Sequence, residues 1–252
     1  MHNPFDLSGK VAIVTGCATG LGHGISVGLA EAGAAVAGVY NSSIPTCGEE
    51  IAGFGGRFAG IQADLAEFDQ AEKVVDQAVQ AFGRVDILVN NAGIIRRQPA
   101  LEFSRKNWDD VIDLNLRALF FLCQASAKRF VEQKSGGKII NIASMLSFQG
   151  GILVPSYTAS KSGVMGLTRE LACEWASKNI NVNAIAPGYM ATENTRALQE
   201  DPVRNADILK RIPANRWGSA GDMKGAAVFL ASSASDYVHG YTLAVDGGWL
   251  AR

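Results

Sequence analysis

The chain has 252 residues, 48% apolar composition and a net charge of −1, and its length and composition suit one large α/β domain or two small ones. The balanced charge offers no basic stripe for DNA or RNA, and no apolar run is long enough to span a bilayer. Cys17, Cys47, Cys123 and Cys173 are scattered without a Cys-x-x-Cys or Cys/His cluster, so no metal is expected and the thiols read as buried or inert in a reducing cytoplasm.

"MHNPFDLSGK" opens the chain without the apolar core of a signal peptide, which agrees with a cytoplasmic protein. "KVAIVTG" (10–16) is a β-branched apolar run and predicts a buried strand. "TGCATGLG" (15–22) follows it and opens a helix that Gly33 ends. Gly16, Gly20 and Gly22 there allow a tight turn and close approach of a pyrophosphate, although their spacing departs from G-x-G-x-x-G. A plain tight turn is the alternative.

The second strand is "AAVAGVY" (34–40), the third "RFAGIQADL" (57–65), and a helix covers 71–83. An acid at the end of the second strand would mark NAD through the ribose 2′-OH. Tyr40 and Asn41 stand there instead, and no Lys or Arg occurs between Lys10 and Arg57 to pair with a 2′-phosphate. NAD is therefore expected over NADP, with Tyr40 or Asn41 near the ribose.

"VDILVNNAG" (85–93) is the fourth strand, ending in a polar tip where open α/β sheets bind ligands. The two asparagines fit a ligand site and an ordinary βα turn equally. Arg96 and Arg97 follow closely enough to face the cleft, and an arginine suits a substrate carboxylate. Helical stretches are expected near 100–112 and over 113–133. Asn115 lies inside the second, and a buried Asn must be hydrogen-bonded, either at a backbone kink or in a proton relay.

"GKIINIAS" (137–144) is the fifth strand, with Ser144 at its end as a holder of a carbonyl oxygen or a turn cap. Gln149 follows five residues later and suits a sugar hydroxyl or loop packing. A helix over 156–177 carries Tyr157 and Lys161 at i and i+4, on one face. An ammonium beside a phenol would lower its pKa and make a tuned proton donor, and a plain amphipathic surface is the alternative. "INVNAIAPG" (180–188) is the sixth strand, 190–215 breaks the pattern and reads as a substrate lid, 220–232 is a helix and "GYTLAVDGG" (240–248) a last strand. Alternating strands and helices predict a Rossmann-like, doubly wound parallel sheet of about seven strands with helices on both faces, in a single domain spanning 1–252.

Gly16/Gly20/Gly22, "NNAG", Asn115, Ser144, Tyr157, Lys161 and Pro187-Gly188 occur in the order and spacing of the short-chain dehydrogenases/reductases, which the chain resembles from about residue 8 onward. The stretches "NNAGIIRR", "IINIASMLSFQGG" and "NAIAPGYMATENT" are similar to the branch acting on ketosugar acids from uronates and pectin, the 2-dehydro-3-deoxy-D-gluconate 5-dehydrogenases. The resemblance implies a catalytic set of Asn115, Ser144, Tyr157 and Lys161. It implies a dinucleotide held by Gly16, Thr19, Gly20, Leu21, Gly22, Asp64, Leu65, Asn91, Ala92, Gly93, Tyr157, Lys161, Pro187, Gly188 and Thr192. Ser144, Tyr157, Arg96 and Gln149 would face substrate. Asn115 would anchor a water leading from Lys161 to solvent. A homotetramer is implied too, with Trp249 and Leu250 as interface candidates. Sister substrates are gluconate-type ketones and 3-oxoacyl thioesters, and the non-enzyme alternative is a dinucleotide-binding redox sensor.

Overall fold

The computed structural model describes residues 3–67 and 69–252. Seven strands form one parallel sheet in the order β3-β2-β1-β4-β5-β6-β7. They are β1 (Val11–Thr15), β2 (Ala35–Tyr40), β3 (Phe58–Gln62), β4 (Ile87–Asn90), β5 (Gly137–Ile142), β6 (Ile180–Pro187) and β7 (Thr242–Val245). Every residue of β1, β4 and β6 is buried, as near-continuous apolar runs covered on both faces require.

Helices α1 (Gly20–Glu31), α2 (Cys47–Gly53) and α9 (Lys224–Ala231) cover one face. Helices α3 (Gln70–Phe82), α5 (Leu119–Gln133) and α6 (Pro155–Trp175) cover the other. The predicted doubly wound sheet is thus observed. Gly83, at φ +83°, ends α3 in the left-handed conformation that a residue without Cβ adopts freely. Pro155 starts α6 where its missing N–H costs nothing.

Three features differ from the sequence reading. Helix α2 was not expected at all. The stretch near 100–133 divides into a short 3₁₀ turn, α4 (Arg105–Ile112), a π-helical turn over Asp113–Ala118, and α5. The stretch 190–215, expected as a lid, folds into α7 (Arg196–Glu200) and α8 (Pro202–Arg211). Asp201 caps α8 by accepting from the Val203 and Arg204 N–H groups. Ile208 and Ile212 then dock on Met145 and Trp249. Trp249 is 4% exposed in that cluster, so it serves the chain's own core and not an interface. No described helix is long and apolar enough to cross a membrane.

Candidate active site

Because all strands are parallel, their carboxyl ends share one edge, and the order reverses between β1 and β4. A cleft of about 450 Å³ opens there, where such sheets bind ligands. Gly16 (φ +66°) and Gly20 (φ +57°) turn the chain from β1 into α1. A Cβ on Gly22 would lie 2.1 Å from the Gly16 carbonyl oxygen, so only glycine permits the closure. Thr19 caps α1 without a side-chain bond, leaving the first-turn N–H groups free of a side-chain acceptor. That cradle fits the pyrophosphate of a dinucleotide.

The polar tip of β4 is pinned to β1. Thr15 Oγ1 accepts from the N–H groups of Asn91 and Ala92, both at 2.9 Å. Asn91 Nδ2 donates back to the Thr15 carbonyl at 2.9 Å. Asn90 turns away, donating to Asn141 Oδ1 at 3.0 Å, and Asn141 donates to Thr168 of α6. The asparagines of "NNAG" therefore fix the shape of the cleft floor, and Asn91, Ala92 and Gly93 line it.

Ser144, Tyr157 and Lys161 meet at the same cleft. Ser144 Oγ accepts from the Leu146 N–H at 3.1 Å and is near enough to the Tyr157 phenol to lower its pKa. Burial raises the phenol pKa, against smaller lowering influences of the Ser144 hydrogen bond and the Arg97 charge. Lys161 is buried, and desolvation depresses its pKa to about 8. Its Nζ donates to the Ile142 carbonyl at 2.6 Å and lies 5.7 Å from the Tyr157 ring centroid. The expected acidification of Tyr157 by Lys161 is not seen: the lowering influences come from Ser144 and Arg97, and burial keeps the phenol above its ordinary value.

Asn115, 1% exposed, sits in the π-helical turn. Its Oδ1 accepts from the Ile94 N–H at 2.8 Å, and its Nδ2 donates to the Ile94 carbonyl at 2.9 Å and to Ser160 Oγ at 3.2 Å. Ser160 Oγ donates on to the Tyr157 carbonyl at 2.8 Å. Both amide hydrogens are thereby committed to protein, so any water held at Asn115 would have to use its oxygens.

This constellation can bind a dinucleotide and protonate a carbonyl beside it. Comparison with known proteins agrees: residues 10–203 match the short chain dehydrogenase family. The chain belongs to that family. It is 62% identical to the 2-dehydro-3-deoxy-D-gluconate 5-dehydrogenase of Escherichia coli, over 98% of each chain. It is also 62% identical to the enzyme of the same name from Dickeya dadantii, over 99% of each. A crystal structure from Agrobacterium tumefaciens, provisionally described as a 2-deoxy-D-gluconate 3-dehydrogenase with bound NADP, superposes with a TM-score of 0.94 at 56% identity, covering both chains fully. The protein is an oxidoreductase acting on a CH–OH group with NAD or NADP.

Other expected residues of this short-chain dehydrogenase fall in different places. Gly16, Thr19, Gly20, Leu21, Pro187, Gly188 and Thr192 line the cleft. Gly22 sits behind it, against Gly16. Tyr40 ends β2 and Asn41 follows it, and Asp64 and Leu65 follow β3, on the same sheet edge but outside the cleft lining. Leu65 is core, and Asp64 accepts from the Ala66 N–H at 3.0 Å.

Arg96 corrects an expectation. Its guanidinium lies 3.8 Å from Asp110 of α4, away from the cleft lining. Arg97 instead donates to the Asn194 carbonyl, in the segment between β6 and α7, at 3.1 Å. Gln149 Oε1 accepts from Trp249 Nε1 at 3.3 Å and from Arg211 at 3.4 Å, in the loop-packing role. Arg196, at the start of α7, pairs with Glu193. Thr15 and Ser160 were missed. Thr15 carried the signal of directly preceding the glycine turn, whereas nothing in the pattern sets Ser160 apart from a surface serine. Among the described residues no group of His, Cys, Asp and Glu could hold a metal.

Proposed function

We propose that the protein interconverts 2-dehydro-3-deoxy-D-gluconate and 3-deoxy-D-glycero-2,5-hexodiulosonate with NAD(H), in the breakdown of uronate- and pectin-derived sugar acids. The observation that carries this reading is the convergence of Ser144, Tyr157 and Lys161 on one dinucleotide-shaped cleft, in a chain matching enzymes of that activity over its whole length.

The nicotinamide, when bound, exchanges the hydride with the substrate carbon. In the reduction direction Ser144 holds the carbonyl oxygen and Tyr157 gives it a proton. The raised phenol pKa keeps that proton in place at neutral pH until it is needed. Lys161, fixed by the Ile142 carbonyl, faces the forming phenolate and stabilises it. Asn115 acts through Ile94 and Ser160, holding the β4 tip and α6 in register.

NAD is the preferred dinucleotide in this reading. Among the described residues on the adenosine side, Arg57 stacks on Phe82 with its guanidinium carbon 5.0 Å from the ring centroid, and the His23 ring meets Glu50 at 2.7 Å. A 2′-phosphate would lack a charged partner. We further propose a cytoplasmic homotetramer.

The test is loss of NADH or NADPH absorbance with the deoxy-diketo acid, with 5-ketogluconate and acetoacetyl thioester alongside. Fast NADH turnover on the deoxy-diketo acid alone is expected. Activity confined to another ketone would move the enzyme to a sister branch. Tight NADH binding without turnover on any of them would favour a redox sensor.

A further inference from the structure

We propose that Cys17 and Cys47 form a reversible disulfide when the protein meets hydrogen peroxide, and that this bond weakens dinucleotide binding by moving the chain beside the pyrophosphate turn. The inference needs a dinucleotide in the cleft and is independent of which sugar acid is oxidised there.

Cys17 follows Gly16 in the turn from β1 to α1, and Cys47 is the first residue of α2. Thirty residues separate them in the chain, yet Cys47 Sγ donates to the Cys17 carbonyl oxygen at 3.4 Å. Both residues are fully buried, and each thiol is near enough to shift the pKa of the other. Cys47, and then burial, push the Cys17 thiol up, while Cys17 draws the Cys47 thiol down. Cys47 is therefore the member that ionises first, and the thiolate is the reactive form. The other cysteines differ. Cys123 is buried against Asn90 and Asn141 with its pKa pushed up to about 12 by burial, and Cys173 is exposed on α6.

The Cys47 thiolate attacks hydrogen peroxide and breaks its O–O bond. Cys47 becomes a sulfenic acid, and the hydroxide released takes up the thiol proton as water. The Cys17 sulfur then attacks the Cys47 sulfur, the S–O bond breaks, and the hydroxyl leaves with the Cys17 proton as a second water. Two thiols and one peroxide thus give one disulfide and two waters, and the sulfurs lose two electrons. Two molecules of a small thiol reverse the bond by exchange and leave as their own disulfide. Peroxide reaches Cys47 through opening of α2. That helix has seven residues and buries only Cys47 and Ile51, which puts it among the least stable parts of the fold.

The packing decides which side moves. Cys17 Sγ fills the space over Gly38 of β2, where an added Cβ would lie 2.7 Å from the sulfur, and Phe58 of β3 closes on the same space. The Cys17 N–H donates to the Val39 carbonyl at 3.2 Å. Cys17 is thus held, and Cys47 must come to it to reach disulfide geometry. That movement removes the donor from the Cys17 carbonyl and draws α2 and the segment 41–46 along. The segment leads from Tyr40 and Asn41, the residues expected near the adenosine ribose. By linkage, a dinucleotide bound to the reduced form disfavours the disulfide by the same factor that the disulfide weakens its binding.

The experiment treats the reduced full-length protein with hydrogen peroxide and stops the reaction with catalase. The bond is read as the loss of two hydrogens from the intact mass and as a Cys17–Cys47 crosslinked peptide, and NADH affinity is read by fluorescence titration. The crosslinked protein should bind NADH about tenfold more weakly, recover fully with dithiothreitol, and form several-fold more slowly when saturated with NADH. Cys47→Ser keeps a donor for the Cys17 carbonyl, so it should bind NADH like the wild type and hold that affinity through peroxide treatment. Cys47→Ala gives the same comparison if serine is unstable there. Cys173→Ser should still crosslink and still lose affinity. Absence of the Cys17–Cys47 peptide at a peroxide dose that oxidises Cys173 would overturn the proposal. So would a crosslink that leaves NADH affinity unchanged, or an equal loss of affinity in treated Cys47→Ser.

Discussion

Tyr157 and Lys161 sit one helical turn apart, and burial pushes them in opposite directions, the phenol up and the ammonium down to about 8. Each shift disfavours the charged form, and for the proton donor that is the resting state catalysis needs. Tyr157→Phe removes only the hydroxyl, so turnover should fall by about a thousandfold or more. NADH affinity, read by fluorescence titration, should stay within about twofold. Lys161 is different because its charge is held at the expense of stability. Its ordinary pKa of 10.5 falls to about 8 in the fold. The penalty is fully present below pH 8 and is relieved as pH rises towards 10.5, because the unfolded chain then binds the proton the native state has lost. At about 1.4 kcal/mol per unit, the cost is of order 3 kcal/mol, less about 1 kcal/mol for the bond to Ile142. Lys161→Met should abolish turnover yet raise the melting temperature at pH 7 by about 5 °C. The gain should shrink at pH 10, and calorimetry at the two pH values checks both.

Among the elements, the π-helical turn at Asp113–Ala118 shows what a sequence can and cannot tell. A polar residue inside an apolar helix marked Asn115 as hydrogen-bonded, but kink and relay stayed equally open. The structure shows a clamp on Ile94 at the end of the β4 tip. Asn115→Ala would orphan the Ile94 N–H and carbonyl and remove a donor from Ser160, at a cost of about 2–4 kcal/mol. Urea unfolding should show that loss. The KM for NADH should rise with it, because Gly93 beside Ile94 lines the cleft. Helix α2 was illegible for another reason. In "CGEEIAG" only Cys47 and Ile51 are buried, one apolar contact per turn, too short a pattern for a period of 3.6 to emerge. The stretch 190–215 was legible as an interruption but not as two helices. Its hold on the molecule depends on Leu198, Ile208 and Ile212 meeting Tyr189, Trp217 and Trp249, which is tertiary and leaves little local periodicity.

For the whole molecule, the central strands could be read because β1 and β4 are near-continuous apolar runs, the signature of a sheet buried on both faces. Their order could not, since it is fixed by which helices cover which face. The same limit misplaced Trp249: an apolar residue after the last strand suits an interface or a core equally, and here Arg211 stacks on it 4.0 Å from the ring centroid while Gln149 accepts from its indole. The surface that is left for assembly lies elsewhere. Trp108 on α4 and Phe121 and Val131 on α5 are 42%, 46% and 49% exposed, although their helices pack inward through other residues. Tyr237 and Tyr241, leading into the edge strand β7, are 100% and 59% exposed. Two separate apolar regions on one chain can build two different two-fold contacts, which together close a tetramer. Four chains of 26.6 kDa give 4 × 26.6, about 106 kDa, and light scattering should find that mass. Phe121→Glu should break one contact and leave a species of about half that mass with its secondary structure intact. A wild-type species of 26.6 kDa would show instead that these side chains are ordinary exposed surface.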